Sequence, residues 1–130
     1  MAADVRPGLR YHPQHQWAQR NGDQVTVGIT DFAQEQLGEV VWAGLPKVGD
    51  RVEVGSYLTE VESVKTSAEV TAPVTGRVVA VNSEIEENPG LLNGDAYGAW
   101  IAVIELTDVD TWDALLDAGA YRDLIDGGGA

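Results

Sequence analysis

Short apolar runs closed by turn residues fill most of the chain between residues 24 and 106. Residues 24–29 alternate apolar and polar side chains with a period of two, which is typical of a strand with one buried face. Comparable runs, bounded by glycine, proline, asparagine or aspartate, occupy 39–45, 51–54, 57–63, 68–72, 76–81 and 100–106. Strands this short and this frequent predict a mostly β fold, a flattened barrel or sandwich.

Two segments depart from the strand pattern and favour helices. Residues 30–31 supply N-cap oxygens and Gly38 supplies a C-terminal stop, so a short internal helix is predicted at 32–37. After residue 106, an aspartate at 108 or 110 can cap a C-terminal helix that runs through residue 116 and ends near Gly119. Residues 121–125 are predicted to form one further turn.

The length of 130 residues suits one domain, 1–130, which buries roughly two-thirds of the surface of its unfolded chain. Four tryptophans, at 17, 42, 100 and 112, are expected to anchor its core. Residues 88–98 are rich in turn-forming residues and predict a long loop. The end of the chain, 127–130, is predicted to be a disordered tail.

The chain is strongly acidic, with 8 basic and 21 acidic residues and a formal net charge of −13. This charge repels nucleic acid and anionic membranes, and it favours soluble partners with basic docking faces. Eleven of the acidic residues follow residue 82, where Arg122 is the one basic residue. They are interpreted as a solvated helix face or, alternatively, as a surface that docks partners.

Several kinds of chemistry have no support in the sequence. The chain contains no cysteine, which excludes disulfides, thiolate metal sites and thiol nucleophiles. His12 and His15 lie three residues apart, but a metal site needs more ligands, so a surface or packing role is expected. No nucleophile elbow and no phosphate-binding glycine loop occurs. We therefore expect no metal, no catalytic residue and no enzyme activity in the isolated chain.

Location follows from two absences in the sequence. No stretch approaches the ~20 apolar residues of a membrane span, and the N-terminus lacks the apolar core of a signal peptide. A cytoplasmic location is expected if the chain is bacterial. A mitochondrial location is expected if it is a eukaryotic chain that has lost a transit peptide.

Lys65 is one of only two lysines, and it lies between the predicted strands 57–63 and 68–72. A lysine at a hairpin tip offers its amine to a modifying enzyme and then holds the attached group away from the body. Local composition alone favours a solvated turn residue, because serine, threonine and glutamate surround the lysine. Modification of Lys65 therefore needs support from the wider sequence.

The wider sequence supplies ordered motifs on both sides of this lysine. Around it stand Gly49, Asp50, Val52, Gly55 and Leu58, then Glu62, Ser63, Val64 and Lys65, then Ala72, Pro73, Val74 and Gly76. Further away are His15, Gln16 and Trp17, the segment 27–37, Tyr97, Gly98 and Trp100, and finally Leu115, Leu116, Tyr121 and Arg122. In this order the motifs resemble the glycine cleavage H-protein family of lipoyl carriers, over nearly the whole chain.

The resemblance implies a carrier of the biotinyl-lipoyl type with lipoate joined by an amide to Lys65. Glu62, Ser63 and Val64 would form the context that the lipoate-attaching enzyme recognises. The lipoyl group on the Lys65 side chain, which we call the arm, would take an aminomethyl group of glycine from the P protein, a pyridoxal-phosphate glycine decarboxylase. It would pass that group to the T protein, an aminomethyltransferase. The L protein, dihydrolipoyl dehydrogenase, would reoxidise the dithiol. The carrier is expected to be monomeric.

The same resemblance places Gln16, Gln36 and Glu69 around a cleft that receives the loaded arm. The family commonly has glutamate at the position of Gln16 and histidine at the position of Gln36. We expect the Glu69 carboxylate to be the main acceptor for the amine of the arm. The carbonyl of Gln16 would be a neutral and weaker acceptor.

Other carriers and a relay role remain open on the sequence alone. A lipoyl domain of a 2-oxo-acid dehydrogenase or a biotinyl domain would carry a similar lysine, but both lack the helical C-terminal extension. Biotinyl domains usually have methionine on both sides of the lysine, whereas Val64 and Thr66 flank it here. A lipoyl donor in lipoate transfer, or an unmodified interaction protein, would share the same lysine.

Overall fold

Two antiparallel sheets enclose one apolar core in the computed structural model, which describes residues 3–127. The six-stranded sheet runs, in spatial order, β1 (Arg10–His12), β2 (Gln16–Asn21), β3 (Gln24–Ile29), β9 (Ala102–Leu106), β8 (Gly76–Val81) and β5 (Arg51–Val52). The three-stranded sheet runs β4 (Val40–Ala43), β6 (Tyr57–Ser63) and β7 (Ser67–Thr71). Neither sheet closes on itself, and the predicted mostly β fold is confirmed as an open, sandwich-like arrangement.

Strands β1 and β2 were not predicted, although the chain carries a signal for the hairpin that joins β2 to β3. Asn21 pairs with Gln24, which leaves a two-residue loop of Gly22 and Asp23. Gly22 has φ of 64°, and Asp23 has no positive φ. A positive φ at the first loop position alone is the type II′ pattern, whose twist matches that of the flanking strands. The Gly-Asp pair, with glycine at the first loop position, is therefore the signal that predicts this turn.

The internal helix is confirmed as α1 (Asp31–Leu37) and begins one residue before the predicted start. The Thr30 hydroxyl accepts a hydrogen bond from the Ala33 backbone N–H at 3.2 Å, so Thr30 is the N-cap. Gly38 follows with φ of 78°, and its N–H donates to the Gln34 carbonyl at 3.0 Å. A residue with a side chain would be strained at that φ, which explains the glycine.

The predicted loop and C-terminal helix need correction. The one-turn helices α2 (Glu84–Glu87) and α3 (Leu91–Gly94) lie before and within the predicted loop. The C-terminal region contains α4 (Val109–Asp113) and α5 (Ala118–Asp126), not one helix ending near Gly119. Leu116 breaks the helical pattern because its backbone exchanges two 2.8 Å hydrogen bonds with Tyr11.

Helix α5 ends at the first residue of the predicted tail, 127–130. The N–H of Gly127 donates to the Asp123 carbonyl at 2.9 Å, so Gly127 ends the helix as its C-cap. The other residues of the predicted tail, 128–130, lie outside the described part of the chain. At the start of the same helix, the Asp117 carboxylate accepts from the Ala120 N–H at 2.8 Å.

The core has two parts. The larger part is aliphatic and draws buried residues from both sheets and from α1, including Val27, Val61 and Ile104. The smaller part, which we call the tyrosine cluster, consists of Val5, Tyr11, Trp17 and Tyr121. The rings of Tyr11 and Tyr121 stack at 4.6 Å with an interplanar angle of 6°. Both tyrosines are fully buried.

Of the four tryptophans, only Trp17 is a fully buried anchor. Trp17 packs flat on Gly28, where a Cβ atom would approach the indole to 2.6 Å. Its Nε1–H donates to the Ala96 carbonyl at 3.0 Å. Trp42 is 45% exposed, so the expected core role is wrong for that residue. The remaining two, Trp100 and Trp112, are half-buried.

Candidate functional site

Lys65 lies at the tip of the hairpin formed by β6 and β7, and its side chain is exposed. Glu62 pairs with Ser67, and the Ser63 N–H donates to the Thr66 carbonyl at 2.7 Å. These pairings leave a two-residue loop, 64–65, at the tip. We call β6, β7 and residues 64–66 the lysine hairpin.

The Ser63 hydroxyl closes this loop. It accepts from the backbone N–H groups of Lys65 at 3.3 Å and Thr66 at 3.2 Å, and it donates to the Thr66 carbonyl at 3.2 Å. Among the described residues other than glycine, only His15 has a positive φ, so the tip lacks the conformation of the usual two-residue hairpin turn. The hydroxyl takes the place of a turn carbonyl instead. Ser63, predicted as recognition context, therefore also has a structural role.

The end of α1 supports the tip from one side. The Val64 N–H donates to the Glu39 carbonyl at 3.0 Å. A Cβ atom at Gly38 would lie 3.5 Å from the Lys65 Cε, so the lysine side chain runs beside this glycine. The tip is thus fixed through backbone bonds, while the side chains of Val64 and Lys65 stay exposed.

A cleft of about 250 Å³ lies beside the lysine hairpin, bounded by β7, the start of β2 and α1. The structure brings Gln16, Gln36 and Glu69 together in its lining, and Thr66 of the tip lines it as well. The apolar part of the lining comes from Ile29, Ala33, Leu37, Val61, Ala68 and Val70. The three residues named from the sequence therefore share one cleft next to Lys65.

Gln16, Gln36 and Glu69 differ in exposure and in the hydrogen-bond acceptors that they present. Gln16 is only 2% exposed; its Nε2 donates to the Gln14 carbonyl at 2.9 Å, and its Oε1 accepts from the Thr71 hydroxyl at 2.9 Å. One lone pair of the Gln16 oxygen remains free. Gln36 and Glu69 are exposed. Among the residues that line the cleft, Glu69 carries the one carboxylate.

His15 also lines the cleft, and sequence reasoning assigned it no role there. It has φ of 76° because it is the last residue of a three-residue hairpin loop, 13–15, between β1 and β2. Its N–H donates to the His12 carbonyl at 2.9 Å, which closes a turn with Pro13 at the second position. Such loops end in the left-handed region. Proline at that position was the available signal.

The ring of His15 contacts both the cleft and the tyrosine cluster. Its Nδ1 lies 2.8 Å from the Tyr121 hydroxyl, and its centroid lies 4.7 Å from that of Phe32. Burial lowers the pKa of His15 below its ordinary value. Burial, with a smaller contribution from the charge of His15, also lowers the pKa of His12.

The outer face of the three-stranded sheet is acidic around the lysine. Glu60 and Glu62 project from it, and the exposed Trp42 pairs with Glu62 across the strands. Glu69 pairs with Glu60 on the edge strand β7, so it shares this outer face and borders the cleft at its rim. The salt bridges among residues 3–127 join other residues, near Arg6 and Arg77, so these glutamates have no cationic partner in that part of the chain. A basic partner surface would complement this face.

Residues 3–127 contain neither a metal-holding group of side chains nor a membrane-spanning helix. In that range no three histidine, aspartate or glutamate side chains gather into a group that would hold a metal ion. No helix in the same range has the length and apolar character needed to cross a membrane.

Known proteins similar to this chain match it over nearly its whole length. The model of a family described as glycine cleavage H-protein matches residues 9–127. A glycine cleavage system H protein of Coprothermobacter proteolyticus is 46% identical over 123 residues, which cover 93% of this chain and 97% of that protein. One from Mycobacterium avium is 46% identical over 126 residues, which cover 92% and 96%.

A solved structure extends the agreement to three dimensions. The crystal structure of a glycine cleavage system H protein from Mycobacterium marinum matches with a TM-score of 0.84 at 34% identity, and covers 95% of this chain and 99% of that chain. The resemblance of the sequence motifs is thereby confirmed. On both sequence and fold, the chain belongs to the glycine cleavage H-protein family.

Proposed function

We propose that this chain is the lipoyl carrier of a glycine cleavage system, with lipoate joined by an amide to Lys65. One observation carries the proposal beyond family membership: the exposed Lys65 stands at a fixed hairpin tip beside a cleft with one carboxylate. The chain moves an aminomethyl group of glycine from the P protein to the T protein, and it delivers the dithiol to the L protein.

The residues around Lys65 fit a lipoyl group. The lysine amine is free to form an amide, because Lys65 makes no salt bridge with any residue in the range 3–127. The cleft offers apolar side chains to an alkyl chain and a five-membered ring, with polar groups at its rim. When bound, lipoate supplies the disulfide that takes up the one-carbon group and is reduced.

The chain's own residues position the arm and shelter what it carries. Ser63 and Glu39 hold the tip, so the arm pivots at Lys65 while the backbone stays in place. Glu69 accepts hydrogen bonds from a primary ammonium at the rim of the cleft, and a charged acceptor is worth about twice a neutral one. Gln16 provides a weaker acceptor with its free lone pair, and Gln36 adds a polar group at the rim.

The chain acts as a component of a larger system and performs no chemistry by its own side chains. Its partners are the P, T and L proteins and the lipoate-attaching enzyme, which recognises Glu62, Ser63 and Val64 with the lysine. It is a single domain and a monomer in solution. A bacterial cell would contain it in the cytoplasm.

Intact mass and peptide mapping of natively expressed protein test the attachment. We expect one lipoyl group, on the peptide that contains Lys65, and none on Lys47. Lys47→Arg is the matched control, because it removes the only other lysine and should keep full modification. Lipoate on another residue, or continued lipoylation of Lys65→Arg, would refute the assignment.

A further inference from the structure

Three polar side chains form a hydrogen-bonded line that leads from the buried tyrosine cluster to the half-buried His15 at the cleft. The Thr30 hydroxyl lies 2.7 Å from the Tyr121 hydroxyl, which lies 2.8 Å from Nδ1 of His15. Thr30 and Tyr121 are both fully buried. Water therefore does not reach these hydroxyl groups, so each hydroxyl proton must be donated to an acceptor within the line.

The two hydroxyl protons of the line can both be bonded only if its hydrogen bonds run in one direction. The Thr30 oxygen already accepts from the Ala33 N–H, and in the described part of the chain the Tyr121 oxygen is the only acceptor for the Thr30 proton. If Thr30 donates to Tyr121, the Tyr121 proton goes to Nδ1 of His15, and both protons are bonded. The reverse order, with a proton on Nδ1, leaves one buried hydroxyl proton without a partner, which is unfavourable.

We propose that Tyr121 is a positioning residue whose hydroxyl, oriented by Thr30, fixes His15 as a neutral imidazole with its proton on Nε2. The cleft wall then presents a hydrogen-bond donor without positive charge. A primary ammonium on the arm is not repelled there, and the charge of Glu69 stays uncompensated until the ammonium arrives. This step rests on the proposed function, since it assigns the cleft to the loaded arm.

The surroundings of His15 agree with this assignment. Phe32 covers one side of the ring, Tyr121 meets its edge at 5.8 Å between centroids, and no described residue bonds its Nε2. The titratable groups nearby are Tyr121, His12 and, across the cleft, Glu69. A protonated His15 would have to donate from Nδ1 and so would break the line.

Nitrogen-15 spectra of the unmodified protein test the line without lipoate. Long-range proton–nitrogen correlations distinguish a protonated from an unprotonated ring nitrogen, and the chain has only two histidines to assign. We expect the Nε2–H form of His15 in at least about tenfold excess at pH 7.5, from the cost of an unbonded buried proton. A proton on Nδ1 in wild-type protein would overturn the proposal.

The matched variants are Tyr121→Phe and Tyr11→Phe. Each removes one hydroxyl from the same stacked pair, but the Tyr11 hydroxyl bonds the backbone of Arg6 and does not contact His15. Tyr121→Phe should give a mixture of the two neutral forms and raise the titration midpoint of His15, whereas Tyr11→Phe should change neither. Equal effects of the two variants would mean that Tyr121 acts only through packing.

The loaded protein supplies the functional readout. Formaldehyde release in the absence of T protein should be severalfold faster in Tyr121→Phe than in wild type or Tyr11→Phe. An altered tautomer with unchanged release would overturn the sheltering role. A chain that never accepts lipoate would refute the proposed function and leave the spectra of the unmodified protein as they are.

Discussion

The lysine hairpin and the tyrosine cluster are organised in opposite ways. At the hairpin tip the side chains point into solvent, and backbone bonds together with the Ser63 hydroxyl hold the loop. In the tyrosine cluster the side chains are buried and join the N-terminal segment, β1, β2 and α5. The attachment site and the buried tyrosine rings therefore lie in separate regions, which meet at the cleft through His15 and Tyr121.

Removing a ring from the tyrosine cluster should have the largest effect on the free energy of unfolding. Tyr121→Ala deletes a fully buried aromatic ring and should lower the free energy of unfolding by ~3–5 kcal/mol. Urea denaturation measures this change. Lys65→Arg is the comparison at the hairpin tip and should leave the urea midpoint unaltered. A loss below about 1 kcal/mol for Tyr121→Ala would contradict the division between the two regions.

Inside the hairpin, the Ser63 hydroxyl is the one side-chain group expected to affect both stability and modification. Ser63→Ala removes the acceptor of two backbone N–H groups and should lower the free energy of unfolding by about 1 kcal/mol. It should also slow lipoate attachment, because the tip loses its fixed geometry. Ser67→Ala, at an exposed position of β7, is the control. Equal attachment rates in the two variants would argue against a shaped tip.

The acidic face around Lys65 and the acidic C-terminal region should differ in how they affect the docking of partner enzymes. Neutralising Glu60 and Glu62 beside the lysine should raise the Michaelis constants of the partner enzymes for the carrier and reduce their salt dependence, since screening acts over ~8 Å. Asp113→Asn with Asp117→Asn removes the same charge from the C-terminal region, and asparagine can still cap α5. The sequence left docking in that region as an alternative to a solvated helix face; a larger effect of the aspartate pair would favour that alternative.

Acid should weaken the fold modestly through the two histidines, whose pKa values are lowered by burial. The unfolded chain takes up protons below about pH 6.5 that the folded chain does not, so stability is greatest above that pH and falls as the pH falls. Urea midpoints at pH 7.5 and 5.5 measure the loss. A variant with His12→Gln and His15→Gln should lose part of this pH dependence; an unchanged slope would exclude the histidines as its cause.

The lysine hairpin was predictable because its signals are local. Alternating side chains define β6, and the lysine, the serine and the glutamates stand next to one another in the sequence. The bounds of β6 and β8 agree with the predicted strands, and those of β7 shift by one residue. Local pattern and tertiary pairing favour the same structure here, so little correction was needed.

The tyrosine cluster was not predictable in the same way. Tyr121 lies in α5, a helix whose first turn contains Gly119, and glycine was interpreted as a helix end. The helix is capped locally by Asp117, but its packing on β1 brings Tyr121 against Tyr11, a contact across more than one hundred residues that no local pattern shows. The role of His15 was missed because its partner Tyr121 is 106 positions away. The cleft residues were found through the family resemblance, not through the pattern of the sequence.

Exchange of labelled bicarbonate into the carboxyl group of glycine, catalysed by a P protein, tests the central claim most directly. We expect exchange that requires this chain in its lipoylated form, is saturable in the chain, and is absent with Lys65→Arg. Lys47→Arg should support exchange as wild type does. A fully lipoylated chain that supports no exchange, with a P protein active on another H protein, would contradict the account and favour a role in lipoate transfer.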